Sequence, residues 1–200
     1  MSSDFWAGLA ASLALIVAIG SQNAFVLRCG LQRLHVLPIV AVCALSDALL
    51  IAAGIGGAGV VIRDNAALMA LTRYGGALFL GSYAVLAAHR AWRGEHLELD
   101  APRTMPLRTA LLACLGFTYL NPHVYLDTMV LLGTLANQRG ASGRWVFGGG
   151  AALASVLWFW ALGFGARLLV PLFLTVTAWR VLDSLIALVM ASLAAMLLLG

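Results

Sequence analysis

The sequence predicts an all-α integral membrane protein with about six hydrophobic helical segments. Its 200 residues are 62% hydrophobic and 10% charged, and the mean hydropathy is +0.98. A soluble domain carries roughly 25% charged residues, so this chain lacks the polar surface that water would require. Most of its charges lie between apolar runs, and six of these runs approach or reach the roughly 20 residues that a helix needs to cross a bilayer.

Only a few charged residues lie within the six segments, and their positions distinguish the interior of a segment from its ends. In chain order the segments are residues 5–27, 36–62, 66–88, 109–137, 145–166 and 181–200. Asp47 lies close to the middle of the second segment, Asp127 within the fourth, and Arg73 in the first third of the third. Asp183 and Arg180 lie at the start of the sixth and are predicted to form an ion pair at the membrane surface.

Arginine counts predict the orientation. If all six segments cross the bilayer, connectors one, three and five carry eight arginines and the opposite side carries four. Cytoplasmic connectors are enriched in basic residues. This bias places the long polar connector, residues 89–108, in the cytoplasm and both termini outside.

The two halves of the chain show a faint repeat, with residues 5–88 as the first copy and residues 109–200 as the second. Asn23 and Asn121 occur at corresponding places, each in a context that weakens a helix. Two copies with an odd number of spans must lie upside down relative to each other, which is the inverted-repeat plan of secondary transporters. The chain is therefore predicted to be a single transmembrane domain of two inverted three-helix repeats.

Several classes of site and partner are not expected. The formal charge of +4 comes from arginines at segment ends, so no nucleic-acid partner is predicted. Cys29, Cys43 and Cys114 lack the spacing of a disulfide framework or metal site, and neither a metal nor a cofactor is predicted. The N-terminus has no basic region before the first apolar run, which favours a retained span over a cleaved signal peptide.

Asp47 and Asp127 are the strongest candidates for a functional role. A charged side chain at the bilayer centre costs about 2.5–3.5 kcal/mol on insertion scales, so such residues face the protein interior and usually mark a transport pathway. The alternative for Asp47 is a structural contact, for which Ser46 and Arg73 are available partners.

The fourth segment contains a predicted helix break. Pro122 has no N–H to donate and clashes with the preceding turn, so the helix should kink or unwind near Asn121. Irregular backbone at membrane depth is tolerated where protein or a water-filled cavity satisfies it. His123 is a candidate proton relay, although a single intramembrane histidine is as often a packing residue.

The first segment contains a second predicted break, at Gly20, which precedes the polar residues Ser21, Gln22 and Asn23. Three adjacent polar side chains in an apolar run indicate a broken helix that lines the same cavity. The predicted substrate-binding residues are Asp47, Asp127, Gln22, Asn23 and Asn121, and the helix breaks lie at Gly20 and Pro122.

Three motifs make the chain recognisable. Residues 18–28 read AIGSQNAFVLR, residues 43–48 read CALSDA, and residues 121–128 read NPHVYLDT. Together they resemble the LysE/ArgO family of lysine and arginine exporters, and the resemblance covers essentially the whole chain. The neutral amino-acid branch of the wider superfamily has Pro-Gly-Pro-Asn where this chain has Gly-Ser-Gln-Asn, which favours the basic branch. The family is described with an inside N-terminus and one segment that does not fully span, in contrast to the arginine count.

The resemblance implies a secondary transporter that exports basic L-amino acids, arginine or lysine, from a bacterial cell. It would be a multi-pass protein of the plasma (inner) membrane, and it is compatible with a homo-oligomer. Export of a +1 solute opposes the inside-negative potential by about 2.3 kcal/mol per 100 mV, so energy coupling is needed. Antiport with protons, driven by the proton-motive force, is the predicted mechanism.

Two other functions fit the residues less well. A metal-cation exporter would use the same intramembrane acids, but no His/Cys/Asp cluster has ligand spacing. An intramembrane hydrolase would need a nucleophile and a base, and Ser82 in Gly81-Ser82-Tyr83 has no fitting partner histidine. The chain is therefore predicted not to be an enzyme.

Overall fold

A computed structural model describes residues 2–17, 20–59, 65–93, 105–173 and 175–199. Helices account for the regular structure of these ranges, and no strand occurs in them. The prediction of an all-α membrane protein is confirmed. Much of the predicted connector, residues 94–104, lies outside the described residues, so its cytoplasmic location stays a prediction.

The helices follow the predicted segments, with two interruptions. In chain order they are α1 (Ser2–Ile16), α2 (Ser21–Leu31), α3 (Val36–Ile55), α4 (Ala66–Arg93), α5 (Leu107–Tyr119), α6 (Pro122–Val124), a π-helix (Tyr125–Leu131), α7 (Leu132–Asn137), α8 (Gly140–Gly165), a 3₁₀ helix (Ala166–Phe173) and α9 (Val176–Leu199). Predicted segment one is divided into α1 and α2. Predicted segment four is divided into α5, α6, the π-helix and α7.

Three helical stretches are long and apolar enough to cross a membrane within the described ranges. They are α3, the continuous run Gly140–Phe173, and α9. Helices α1 and α2 pass the same test together, although they are bent by 83° at their junction. Helix α4 has 28 residues but carries Arg73, Arg90 and Arg93 and is less apolar. The count of six spans and the inverted repeat therefore stay predictions.

Glycine brings α3 against the π-helix and the start of α7. A Cβ atom at Gly54 would lie 2.6 Å from the Cα atom of Met129, and one at Gly133 would lie 2.7 Å from the Gly54 carbonyl oxygen. Small residues allow such close backbone approach between membrane helices, where dispersion contacts take the place of hydrophobic driving force. This contact holds the helix that carries Asp47 beside the helix that carries Asp127.

We expect Gly54→Ala to lower the melting temperature of the purified protein in detergent, because its methyl group would force α3 away from Met129. Overpacking of this kind costs about 1–3 kcal/mol. Gly149→Ala is the matched control, since nothing lies within 4 Å of a Cβ atom there. Equal melting temperatures for the two variants would contradict the close packing.

The ion pair predicted between Asp183 and Arg180 is wrong. Asp183 is completely buried, and its Oδ1 atom accepts hydrogen bonds from Arg28 Nη1 and from Arg90 Nε, the latter at 3.3 Å. Arg180 is exposed. The prediction relied on proximity along the chain, whereas packing of α9 against α2 and α4 brings two more distant arginines to the carboxylate.

Candidate functional site

The two helix interruptions meet at a cavity of about 300 Å³, which we call the central cavity. Its wall includes the end of α1, the start of α2, the middle of α3, and the stretch from Asn121 into the π-helix. Seven of the eight predicted site residues line it, namely Gly20, Gln22, Asn23, Asp47, Asn121, His123 and Asp127. Pro122 is not part of the lining, but it is the buried first residue of α6. The structure therefore gathers residues from two distant parts of the chain.

At the first interruption, Asn23 supplies a hydrogen-bond donor to a backbone carbonyl at the end of α1. Its Nδ2 atom donates a hydrogen bond of 2.6 Å to the carbonyl of Ile16, the last residue of α1. The last carbonyls of a helix have no partner within it, and such a group needs another donor inside a membrane. The Asn23 Oδ1 atom accepts a hydrogen bond of 3.2 Å from Trp158 Nε1. Asn23 thus ties the broken helix to α8.

Helix α2 presents its N-terminus to the central cavity without a side-chain cap. Gly20, the residue before it, is extended, with φ −107° and ψ 175°. Two buried polar atoms beside this terminus, Ser21 Oγ and Gln22 Nε2, have no hydrogen-bond partner among the described residues. Buried polar groups are normally satisfied, so these atoms are available to water or to a bound solute.

At the second interruption, the backbone is satisfied locally. Helix α5 ends at Tyr119, Asn121 is extended, and the Asn121 Oδ1 atom accepts a hydrogen bond of 3.1 Å from the His123 N–H. Proline at the first position of α6 is well tolerated, because that N–H would have no helical partner. Asn121 was predicted to bind substrate, but in this structure its side chain caps α6.

The helix that follows Pro122 is wound as a π-helix over Tyr125–Leu131, and it carries Asp127. Single π-helical turns are rare and often occur at functional sites. The Asp127 side chain is half-buried at the central cavity. It has neither a hydrogen bond nor an ion pair to another described residue. Sequence reasoning identified Asp127 but not the π-helix, since the pattern of residues contained no signal for it.

Asp47 is buried in the wall of the central cavity, on the helix that packs beside the π-helix of Asp127. It is 4% exposed, and its Oδ2 atom accepts a hydrogen bond of 2.9 Å from Ser155 Oγ on α8. The alternative partner Arg73 points elsewhere: its Nε and Nη2 atoms donate to the carbonyls of Leu197 and Leu198 at 2.6 and 3.0 Å. No described basic side chain forms an ion pair with Asp47.

The electrostatic character of the central cavity follows from its lining. It contains two carboxylates and no arginine among the described residues. Carboxylates in a low-dielectric site without a cationic partner attract cations strongly. No group of three or more His, Cys, Asp or Glu side chains in the described ranges is arranged to hold a metal ion. The arrangement suits an organic cation that fills the cavity.

The family model described as "LysE type translocator" matches residues 13–200. The chain belongs to this family. It is therefore a membrane transporter, in line with the prediction that it is not an enzyme. No solved structure matches the chain.

Curated relatives match the LysE-family chain over most of their length. A Mycobacterium tuberculosis protein named "Putative amino-acid transporter" is 50% identical over 186 residues, or 93% of this chain and 92% of the relative. The "Arginine exporter protein ArgO" of an Enterobacter species is 42% identical over 192 residues, with 95% and 90% coverage. The protein of the same name from Yersinia enterocolitica is 41% identical, with 95% and 93% coverage.

Proposed function

We propose that this LysE-family chain exports arginine, and with it lysine, across the bacterial plasma membrane from a binding site in the central cavity. The observation that carries the proposal is the pair of carboxylates, Asp47 and Asp127, in a cavity whose described lining has no arginine. The relatives named as arginine exporters, which are about 40% identical over nearly the whole chain, support the same substrate.

The two carboxylates suit the cationic groups of a basic amino acid. Arginine carries a guanidinium at one end and an α-ammonium at the other, so two separate acidic contacts match its two cations. Guanidinium–carboxylate contacts are charge-assisted and frequently bidentate, which makes them strong and directional. Asp47 has one described donor, Ser155 Oγ, and Asp127 has none, so both retain acceptor capacity for the substrate.

The α2 terminus suits the substrate's α-carboxylate. The first N–H groups of a helix have no internal partner and carry a partial positive charge, so they favour anions. Helix α2 has no side-chain cap, whereas Asn121 caps α6. The carboxylate would therefore lie against Ser21 and Gln22, whose orphan side-chain atoms add two hydrogen-bonding groups.

Proton antiport is the coupling that we propose for concentrative export. Exchange of one arginine for one proton moves no net charge and so removes the penalty of about 2.3 kcal/mol per 100 mV. Asp47 or Asp127 would bind a proton when the substrate leaves, and His123 at the cavity edge would relay it. A metal-cation exporter is not favoured, since no suitable ligand cluster occurs among the described residues.

Substrate selectivity tests this proposal directly. We expect proteoliposomes that contain the protein to release arginine and lysine much faster than citrulline, which has arginine's shape but a neutral side chain. Loss of one buried charged contact costs about 2–5 kcal/mol, which corresponds to roughly 30-fold or more in affinity. Empty liposomes provide the control for leakage. Equal release of arginine and citrulline would overturn the proposal of a basic substrate.

A pH gradient across the same vesicles tests the coupling. With the membrane potential clamped near zero, an inward proton gradient should accelerate arginine efflux, and dissipation of the gradient should abolish its accumulation outside. If the rate of arginine efflux does not depend on the proton gradient, proton antiport is wrong, whereas the proposal of a basic substrate still stands.

A further inference from the structure

A second cavity, of about 700 Å³, lies at the opposite end of α2, and we call it the lateral cavity. It is bounded by the second half of α2, the end of α4 and the start of α5, and it shares no lining residue with the central cavity. Its charged lining residues are Arg28 and Arg90, and no acidic side chain of the described ranges lines it. The proposed transport path therefore leaves this basic cavity unexplained.

The two arginines share one carboxylate. Asp183 Oδ1 accepts from Arg28 Nη1 and Arg90 Nε, whereas Asp183 Oδ2 and Arg90 Nη2 are buried without a described partner. Two guanidinium groups and one carboxylate leave a net charge of +1. The Arg28 side chain is 6% exposed and that of Arg90 is 18% exposed. A buried positive charge without a counter-charge is costly, so this cluster favours an anion.

The cavity opens sideways rather than towards the centre of the protein. Ser82 and Leu86 on α4 and Thr109 on α5 line it and are exposed, with Leu86 at 55%. Exposed apolar residues of a membrane protein face the acyl chains. The cavity thus combines apolar lining residues that suit an acyl chain, among them Phe79, Leu86 and Ala113, with a basic interior that suits a phosphate.

The depth of the cavity also suits a lipid headgroup. It adjoins the end of α4 and the start of α5, which flank the connector predicted to be cytoplasmic. Trp92, two residues beyond Arg90, is 82% exposed, as expected for an aromatic residue at the membrane interface. Basic pockets between transmembrane helices on the cytoplasmic side are a recognised type of site for anionic lipid headgroups.

We propose that the lateral cavity binds the phosphodiester of an anionic phospholipid, with Arg28 and Arg90 as its cationic ligands. Asp183 holds both guanidinium groups in place and limits their net charge. The tyrosine and tryptophan rings beside them, with Arg90 5.4 Å from the Tyr83 ring and Arg28 5.5 Å from the Trp179 ring, help to orient both cations. The bound lipid would link α2, α4 and α5 at the end of the protein away from the central cavity.

The test measures lipid retained by the purified protein. Native mass spectrometry would compare dioleoylphosphatidylglycerol with dioleoylphosphatidylcholine, which has the same acyl chains but no net charge, per folded molecule. We expect the anionic lipid to be preferred and Arg90→Gln to weaken its binding by about fivefold, the loss typical of one cationic contact with a membrane surface. Arg93→Gln, on the same helix but exposed and outside the cavity, is the matched control.

Two further variants separate binding from folding. Asp183→Asn raises the net charge of the cluster to +2 and should strengthen binding of the anionic lipid, whereas a purely structural role would predict loss of both fold and lipid. If that variant does not fold, Arg90→Lys keeps the charge and should retain most of the binding. Equal retention of the two lipids, or equal effects of Arg90→Gln and Arg93→Gln, would overturn the proposal. Inorganic phosphate that displaces the lipid and stabilises the protein equally well would show a site for free anions instead.

Discussion

Replacement of Asp47 with asparagine is expected to abolish arginine efflux while the protein still inserts and folds. The substitution keeps the shape of the side chain and its ability to accept from Ser155, but it removes the charge that would face the substrate cation. Loss of such a buried contact costs about 2–5 kcal/mol, so efflux at low substrate concentration should fall by roughly 30-fold or more. Proton exchange at this position would be lost as well. Efflux from proteoliposomes, normalised to folded protein, measures both effects.

Two control variants distinguish charge from packing at Asp47. Asp47→Glu keeps the carboxylate but moves it by one methylene, so partial efflux should remain. Ser155→Ala removes the hydrogen-bond donor and leaves the carboxylate, so its effect should be much smaller than that of Asp47→Asn. If Asp47→Asn transports arginine normally, Asp47 is only a packing residue, and the central cavity does not bind its substrate in the way proposed.

The site residues that could be predicted from the sequence are those whose energetic or conformational effect depends only on residues nearby in the chain. A carboxylate in an apolar run, as at Asp47 and Asp127, is expensive wherever the run lies in the bilayer. Proline after Asn121 restricts the backbone of the preceding residue whatever surrounds it. Both signals can be read from a short window, and the structure brings Asp47, Asn121 and Asp127 to one cavity.

The partners of these residues could not be predicted, because they depend on how the helices pack. Ser155 is 108 residues away from Asp47, and Arg28 is 155 residues away from Asp183. With no signal for these distant pairs, the sequence offered Ser46 or Arg73 for Asp47 and Arg180 for Asp183, and the pairing of Asp183 with Arg180 was wrong. The π-helix was missed as well, and its close contact with α3, between Met129 and Gly54, also joins residues that are far apart along the chain.

Pro122→Ala is expected to reduce arginine efflux strongly without loss of folded protein. Proline disfavours a helical conformation of the residue before it, and Asn121 is extended, with φ −105° and ψ 107°. Alanine would allow α5 and α6 to join into one helix. Asn121 would then leave its capping position, and the register of Asp127 around the helix axis would change. Since a displacement of about 1 Å at a site can cost 100-fold in rate, we expect efflux per folded molecule to fall by at least about tenfold.

The stability of the Pro122→Ala variant decides whether this break serves transport or packing. Alanine supplies the backbone N–H that proline lacks, so a continuous helix should keep or raise the melting temperature in detergent. If Pro122 only bends a helix around its neighbours, the variant should melt earlier and efflux should fall only in proportion to lost protein. Pro38→Ala, in the first turn of α3 and outside the central cavity, makes the same chemical change and should transport normally. Wild-type efflux per folded molecule in Pro122→Ala would mean that transport does not depend on the interruption at Asn121.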